Sequence, residues 1–178
     1  MTKYVALLRG INVGGNKKVE MTKLKKVFES LGFSSVLTYI NTGNVIFETE
    51  QKDTKIITEA IEKKLKEHFG FEIRVVVRNA NNIQNLCKKI PKEYANNTEQ
   101  KTDILFLWDE YNTKNSLSLI KTANVDILQY IDGAILWNIK RKDYNKSGMN
   151  TFIGTVIYKN MTARNINTVR KLAELMKY

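Results

Sequence analysis

The first 78 residues carry an unbroken succession of apolar periods, and that succession limits the fold more than any other feature. Tyr4 to Leu8 is a short, wholly apolar run that reads as a buried strand. Met21, Leu24, Val27, Phe28 and Leu31 recur at helical spacing before Gly32. Val36, Thr38 and Ile40 alternate with Leu37 and Tyr39, Asn41-Thr42-Gly43-Asn44 makes a turn, and Val45-Ile46-Phe47 returns as a partner strand. Ile57, Ala60, Ile61 and Leu65 predict a second helix over about residues 53–69, closed by Gly70. Phe71, Ile73, Val75 and Val77 then alternate with Glu72, Arg74 and Arg78, which predicts an edge strand with one wet, basic face. The order is β-α-β-β-α-β, the ferredoxin-like unit.

The second half repeats this order less cleanly. Ile83, Leu86, Cys87 and Ile90 predict a short helix that Pro91 ends, and residues 92–101 are polar, aperiodic and linker-like. Ile104 to Trp108 reads as a strand, Leu117 to Ile120 as a short helix, and residues 125–131 and 134–139 as a hairpin turning at Asp132-Gly133. Phe152, Ile153, Val156 and Ile157 fall on one helical face, and a last helix carries Ile166, Val169, Leu172, Ala173 and Met176. The expected fold class is α+β: a ferredoxin-like subdomain over 1–78, a helix and linker over 79–101, and a related but degenerate α+β subdomain over 102–178.

Composition removes several function classes. With Cys87 and His68 each the only residue of its type, neither a disulfide nor a Cys/His zinc site can form within one chain. Nucleophiles that need a histidine base would all depend on His68, which more simply complements the negative pole of its helix. Cys87 sits on an apolar helix face and reads as a small core residue, and Trp108 and Trp137 read as core residues of the second half. Carboxylates show no D-x-D or E-x-x-H spacing, so no metal or cofactor is expected. No apolar run approaches the roughly 20 residues that span a bilayer, and the N-terminus enters a strand directly, so a cytoplasmic protein without membrane attachment is expected. The formal charge of +11 suits nucleic acid or another polyanion. A general richness in Lys, Asn and Ile accounts for part of it, since net charge bears on solubility and non-specific binding rather than on fold.

Three stretches concentrate polar donors. Arg9-Gly10-Ile11-Asn12-Val13-Gly14-Gly15-Asn16-Lys17-Lys18 follows the first strand and combines glycines, amides and cations, a combination suited to an anion. It is neither a P-loop, because Asn16 stands in the lysine position, nor a dinucleotide fingerprint, because Asn12 stands where the second glycine belongs. Asn41 to Asn44 is also what an ordinary hairpin turn requires. Thr162, Arg164, Asn165, Asn167 and Thr168 crowd the expected start of the last helix. Capping explains Thr162 or Asn165, but Arg164 there opposes the macrodipole and calls for a carboxylate, Glu20 or Asp109, or for a ligand anion.

Leu7-Leu8-Arg9-Gly10-Ile11-Asn12-Val13-Gly14-Gly15, Thr38-Tyr39-Ile40-Asn41-Thr42-Gly43-Asn44-Val45 and Thr162-Ala163-Arg164-Asn165-Ile166-Asn167-Thr168-Val169 resemble the three hallmark motifs of a bacterial family, domain of unknown function 1697. The resemblance spans nearly the whole chain. It implies an α+β fold of ferredoxin-like character and brings no catalytic residues, because the family's activity is not established. Thr42 stands where that family usually has serine, and Ile166 where it often has tryptophan.

The expected site joins Arg9, Asn12, Asn16 and Lys17 with Asn41, Asn44, Arg164 and Asn165 in one cleft between the halves. It would bind a phosphorylated or nucleotide-like ligand, or a nucleic acid. Three classes of function stay open: a binding module for nucleic acid or a phosphate-bearing ligand, an enzyme acting on a phosphorylated small molecule with the arginines stabilising charge, and a non-catalytic assembly protein. The strand Gly43 to Thr49 lacks the aromatic pair that stacks bases in RNA-recognition domains, so RNA would have to use the glycine loop and basic rims. The sequence leaves oligomeric state open.

Overall fold

The computed structural model describes residues 1–15, 17–131 and 133–177. The chain divides into two compact units, Met1–Ala80 with the C-terminal residues from Met176, and Asn81–Leu175.

The first unit runs β1 (Thr2–Leu8), α1 (Met21–Ser30), β2 (Ser34–Tyr39), β3 (Asn44–Thr49), α2 (Thr54–Phe69) and β4 (Val75–Asn79). Its sheet has the order β2-β3-β1-β4 with all neighbours antiparallel, the ferredoxin-like arrangement expected from the sequence. Period-two alternation sends Tyr4, Ala6 and Leu8 of β1, Val45 and Phe47 of β3, and Val75 and Val77 of β4 to one face. There they meet Leu24, Val27 and Phe28 of α1 and Ile57, Ile61 and Leu65 of α2. Phe33 stacks on Phe47 at 4.4 Å and Phe28 meets Phe47 edge-on at 5.5 Å, so the aromatics close the core beneath β3. Asp53 caps α2 by accepting from the amides of Lys55 (2.8 Å) and Ile56 (3.4 Å).

The last strand of this unit departs from the expectation. Residues 71–74 are not strand, and β4 begins at Val75. Val76, on the face predicted to be wet, is buried. The reason lies in the pairing: β4 runs antiparallel to β1, Val75 pairs with Leu8, and β1 ends there, so no ladder exists for residues 71–74 to join. Arg9 N–H to the Arg74 carbonyl, 2.9 Å, is the final tie.

The second unit follows with α3 (Ala80–Lys89), β5 (Gln100–Leu107), 3-10 turns over Asp109–Tyr111 and Lys114–Leu119, and the hairpin β6 (Ile127–Ile131) and β7 (Ala134–Lys140). Two more 3-10 turns, Arg141–Lys146 and Gly148–Thr151, lead to α4 (Val156–Lys159), β8 (Met161–Asn165) and α5 (Ile166–Leu175). The sheet order β6-β7-β5-β8 repeats the order of the first unit, strand for strand. The degeneracy is in the crossovers, where 3-10 turns and a single-turn helix replace the two long helices. Trp108 and Trp137 are buried here, as expected. α3 meets α5 through Gln84 Nε2, which donates to the Ala173 carbonyl at 2.6 Å, and Cys87 Sγ, 3.8 Å from the Val169 carbonyl.

Two expectations about this half are corrected. Residues 161–165, read as the lead-in to the last helix, form β8, which pairs with β5 from Leu107↔Met161 to Asp103↔Asn165. The predicted helix carrying Phe152, Ile153, Val156 and Ile157 is only the short α4. Gly154 interrupts it at φ 89°, and Ile153 and Val156 face solvent while Phe152 and Ile157 are buried. The polar stretch 92–99 is tied down along its length: Gln100 Nε2 donates to the Glu93 carbonyl (3.2 Å), Thr102 Oγ1 to that of Ala95 (2.7 Å), and Asn167 Nδ2 to that of Asn96 (3.0 Å). Among the described residues no helix is long and apolar enough to cross a membrane.

Candidate functional site

In the first unit the glycine loop and the β2–β3 turn pack against each other, and one asparagine organises them. Asn12, at φ 56°, donates both Nδ2 hydrogens, to the carbonyls of Val19 and Asn41 (2.9 Å each), and its Oδ1 accepts the Val19 N–H at 2.8 Å. Asn is among the few residues that tolerate this left-handed backbone, and its amide closes the loop on itself while tying it to the turn. The Asn12 N–H also bonds the Lys17 carbonyl at 3.1 Å, so Asn12 ties the start of the loop to both Lys17 and Val19 near its end. Gly10, Gly14 and Gly15 all have positive φ, which explains the glycine content.

The loop leaves a hollow of about 420 Å³ lined by Gly15, Lys18, Val19, Glu20, Met21, Asn12 and Asn41. Two of the expected site residues, Asn12 and Asn41, therefore stand at it. Lys17 turns elsewhere: its Nζ donates to the Glu72 carbonyl at 3.0 Å and lies 5.7 Å from the centre of the Phe71 ring. The Glu72 carboxylate is held below its usual range, first by the hydrogen bond and charge of Lys66 (2.9 Å) and then by the charge of Lys17. Asn44 is fully buried, donating to the Tyr39 carbonyl (2.9 Å) and to Thr42 Oγ1 (3.1 Å), which is turn architecture. Thr42 performs this acceptor role with the same hydroxyl that serine would offer. Arg9 is half-buried at the start of the loop. The expectation for Asn16 lies outside the described residues.

Arg164 and Asn165 belong to the second unit. Arg164 is on β8, not in a helical first turn, so the conflict with the helix dipole does not arise. Its side chain is 7% exposed, and Nη1 donates to Thr162 Oγ1 (2.9 Å) and to the Ala163 carbonyl (2.7 Å). Burial pushes its pKa down to about 10, which still leaves it charged at neutral pH. Asn165 Oδ1 accepts the Thr168 N–H at 3.0 Å and caps α5. Glu20, one of the carboxylates considered for Arg164, pairs with Lys23 at 3.1 Å.

Residues 1–137 match the model of a family described as a protein of unknown function, DUF1697. The chain belongs to the DUF1697 family. The first two hallmark stretches, 7–15 and 38–45, lie inside the matched region, and the third, 162–169, lies beyond it. The conserved bacterial protein SP0830 from Streptococcus pneumoniae has a similar solved structure, with a TM-score of 0.85, 24% identity and 99% of each chain covered. At that identity the likeness speaks for the fold. No curated protein is similar enough to the chain to count as a match.

Val19, Glu20 and Met21, which line the hollow in this DUF1697 chain, are not among the site residues expected from the sequence, where Glu20 entered only as a partner for Arg164 and Met21 only as a helix-face residue. The signal was present in part, because a glycine loop that runs into a helix brings that helix's first residues with it. Among the described residues no group of three or more His, Cys, Asp or Glu could hold a metal ion.

The contact between the loop and the turn depends on Gly43. It has φ 77°, and a Cβ built there would lie 2.7 Å from Ile11 Cδ1 and 2.8 Å from Leu8 Cβ. Gly43→Ala combines left-handed strain with overpacking and should cost about 2–4 kcal/mol. Urea unfolding measures it, and a change within about 0.5 kcal/mol would mean that the two loops are not packed as described.

Proposed function

We propose that this protein binds a phosphate-bearing ligand at the hollow between the glycine loop and the start of α1. The observation that carries the reading is the open N-terminus of α1 beside that hollow. Glu20 occupies the N-cap position without a side-chain cap bond, and the first turn contains no acidic residue. The leading amides of a helix have no intrahelical acceptor, and an anion satisfies them in line with the helix dipole. Lys18 lines the same hollow with Gly15, a left-handed glycine with no side chain to stand between a ligand and the main chain. The Asn12 bonds hold this backbone in place before any ligand arrives, which reduces the ordering cost of binding.

Nucleic acid is the larger ligand of the same chemistry, and the +11 charge favours its approach. The face away from the helices is a poor platform for it. By register the central strands β1 and β3 carry Lys3, Val5, Leu7, Asn44, Ile46 and Glu48 there; Val5, Leu7, Asn44 and Ile46 are buried, and none is an aromatic that could stack a base. An enzyme acting on a phosphorylated small molecule would use the same hollow, and turnover of the bound ligand distinguishes it from a binding module.

The test is calorimetric titration of inorganic pyrophosphate, and of a single-stranded RNA oligomer at several salt concentrations, into the native chain and Lys18→Glu. Pyrophosphate should bind the native chain, and the charge reversal should weaken it about tenfold or more. Pyrophosphate that does not bind, or that binds equally to both, would sink the reading. RNA binding with a steep salt slope unaffected by Lys18→Glu would put polyanion binding at other basic surfaces.

A further inference from the structure

The second unit contains a larger cavity, of about 780 Å³, which none of the hallmark stretches lines. Its walls come from the 93–100 segment, the start of β6 and the end of β7. Val125, Ile127 and Ile139 are apolar, Tyr94 is aromatic, and Asn138 is the deepest polar residue at 5% exposure. Glu93, Glu99 and Asp143 stand around it with Lys140 and Lys142.

The hydrogen bonds around Asn138 fix which way its amide points. Gln100 Nε2 donates to the Glu93 carbonyl, which leaves Gln100 Oε1 as the atom facing Asn138. Thr102 Oγ1 spends its only hydrogen on the Ala95 carbonyl, so towards Asn138 it can only accept. Both atoms demand donors, and Asn138 Nδ2 supplies them at 3.1 and 2.7 Å. The oxygen Oδ1 is thereby turned away from this network. Among the described residues it accepts no hydrogen bond, and it is not one of the sealed, unsatisfied atoms of the interior. The opening that such an atom has is the cavity its residue lines.

We infer that this cavity is a binding site for a small organic amine, whose N–H donates to Asn138 Oδ1 while its apolar or aromatic body lies against Val125, Ile127 and Tyr94. An acceptor held in place at the bottom of an apolar cavity selects a donor, because a ligand without one leaves it unpaired. The carboxylates of Glu93 and Glu99 form no ion pair among the described residues, and Asp143 has only Lys146, at 3.9 Å. Against Lys140 and Lys142 the three carboxylates leave the lining one net negative charge, and with Glu93 and Glu99 free of ion pairs among the described residues this favours a cationic amine over a neutral amide or alcohol. This site rests on residues apart from those at the α1 hollow, so either reading can fail without the other.

Phenethylamine is the probe, with 2-phenylethanol and 3-phenylpropionate as controls of similar size, titrated into the native chain and followed by two-dimensional amide spectra. The amine should shift resonances of Tyr94, Gln100, Ile127, Asn138 and Ile139 and bind more tightly than either control. Glu93→Gln with Glu99→Gln, both at exposed positions, should weaken the amine about twofold to fivefold and leave the alcohol unchanged. Asn138→Leu should weaken it about tenfold or more. If that substitution unfolds the chain, the acidic-pair variant and the shift map decide alone. No binding by the amine, equal binding of amine and alcohol, or shifts away from these residues would each overturn the inference.

Discussion

Gly148→Ala should be the most damaging single methyl that can be added to this protein, with a loss of roughly 4 kcal/mol or more of stability or no folded protein at all. A Cβ at this position would lie 1.9 Å from the Lys121 carbonyl oxygen and 2.9 Å from its carbon. Those are backbone atoms of a neighbouring segment, so no rotamer change can relieve the overlap. Either the 121–126 loop or the 147–151 turn must move, and both are joined through Asp126. The measurement is urea or thermal unfolding beside Asn150→Ala, an exposed neighbour that should stay within about 0.5 kcal/mol of the native chain. A Gly148→Ala protein of native stability would show that these two segments are not in contact.

Asp126→Ala should follow closely, at about 3–4 kcal/mol, because one carboxylate satisfies four donors. Its Oδ1 accepts from Trp137 Nε1 at 2.9 Å and from Ser147 Oγ, and its Oδ2 accepts from the amides of Ala123 (2.7 Å) and Gly148 (2.8 Å). Trp137 is fully buried against Phe152, and removing the carboxylate takes away the acceptor of its indole N–H. The same group gives a pH signature. Burial alone would raise its pKa, but the bonds from Ser147, Ala123, Gly148 and Trp137 together outweigh burial and hold the carboxyl below its usual range. A carboxyl depressed on folding contributes stability that is present above its unfolded pKa of about 3.9 and is lost as pH falls through the lower folded value. Stability measured from pH 6 to pH 2 should therefore fall less steeply below about pH 4 in Asp126→Asn than in the native chain. Parallel curves would assign the acid sensitivity to other carboxylates.

Both residues lie in stretches where the sequence offered little. Asp126 has no neighbour that marks it, and its partners are 3, 11, 21 and 22 positions away. Gly148 is followed by Met149, Asn150 and Thr151, with no turn signature to mark it, and its need for a missing Cβ comes from Lys121, which the chain brings back from far upstream. By contrast, the first unit was legible almost throughout, because its helices are long enough to show a period and its central strands alternate. β8 was not. Met161-Thr162-Ala163-Arg164-Asn165 has no run of large apolar residues, and it is a strand only because β5 offers an edge to pair with.

The candidate site divides in the same way. The glycines, amides and lysines of residues 9–18 could be read directly as an anion-suited loop, and Asn41 to Asn44 as a turn. Their hydrogen bonds could not be read, and they separate residues that look alike on paper. Asn12 and Asn44 hold backbone together, Lys17 leans on Phe71 and the Glu72 carbonyl, and Lys18 stands at the hollow.

What the sequence by itself determined is the order of elements, the ferredoxin-like first unit, the echo of it in the second, and the loop whose composition suits an anion. These follow from period, turn chemistry and residue type, which act over a few neighbouring positions. Only the tertiary structure decided that Arg164 is a buried strand residue, that Asn138 lines a cavity with its amide nitrogen bonded to Gln100 and Thr102, and that Asp126 and Gly148 hold the second unit's long loops together. Each of those depends on atoms brought together from distant parts of the chain, and a polar group's role is set by which partners reach it once water has been excluded.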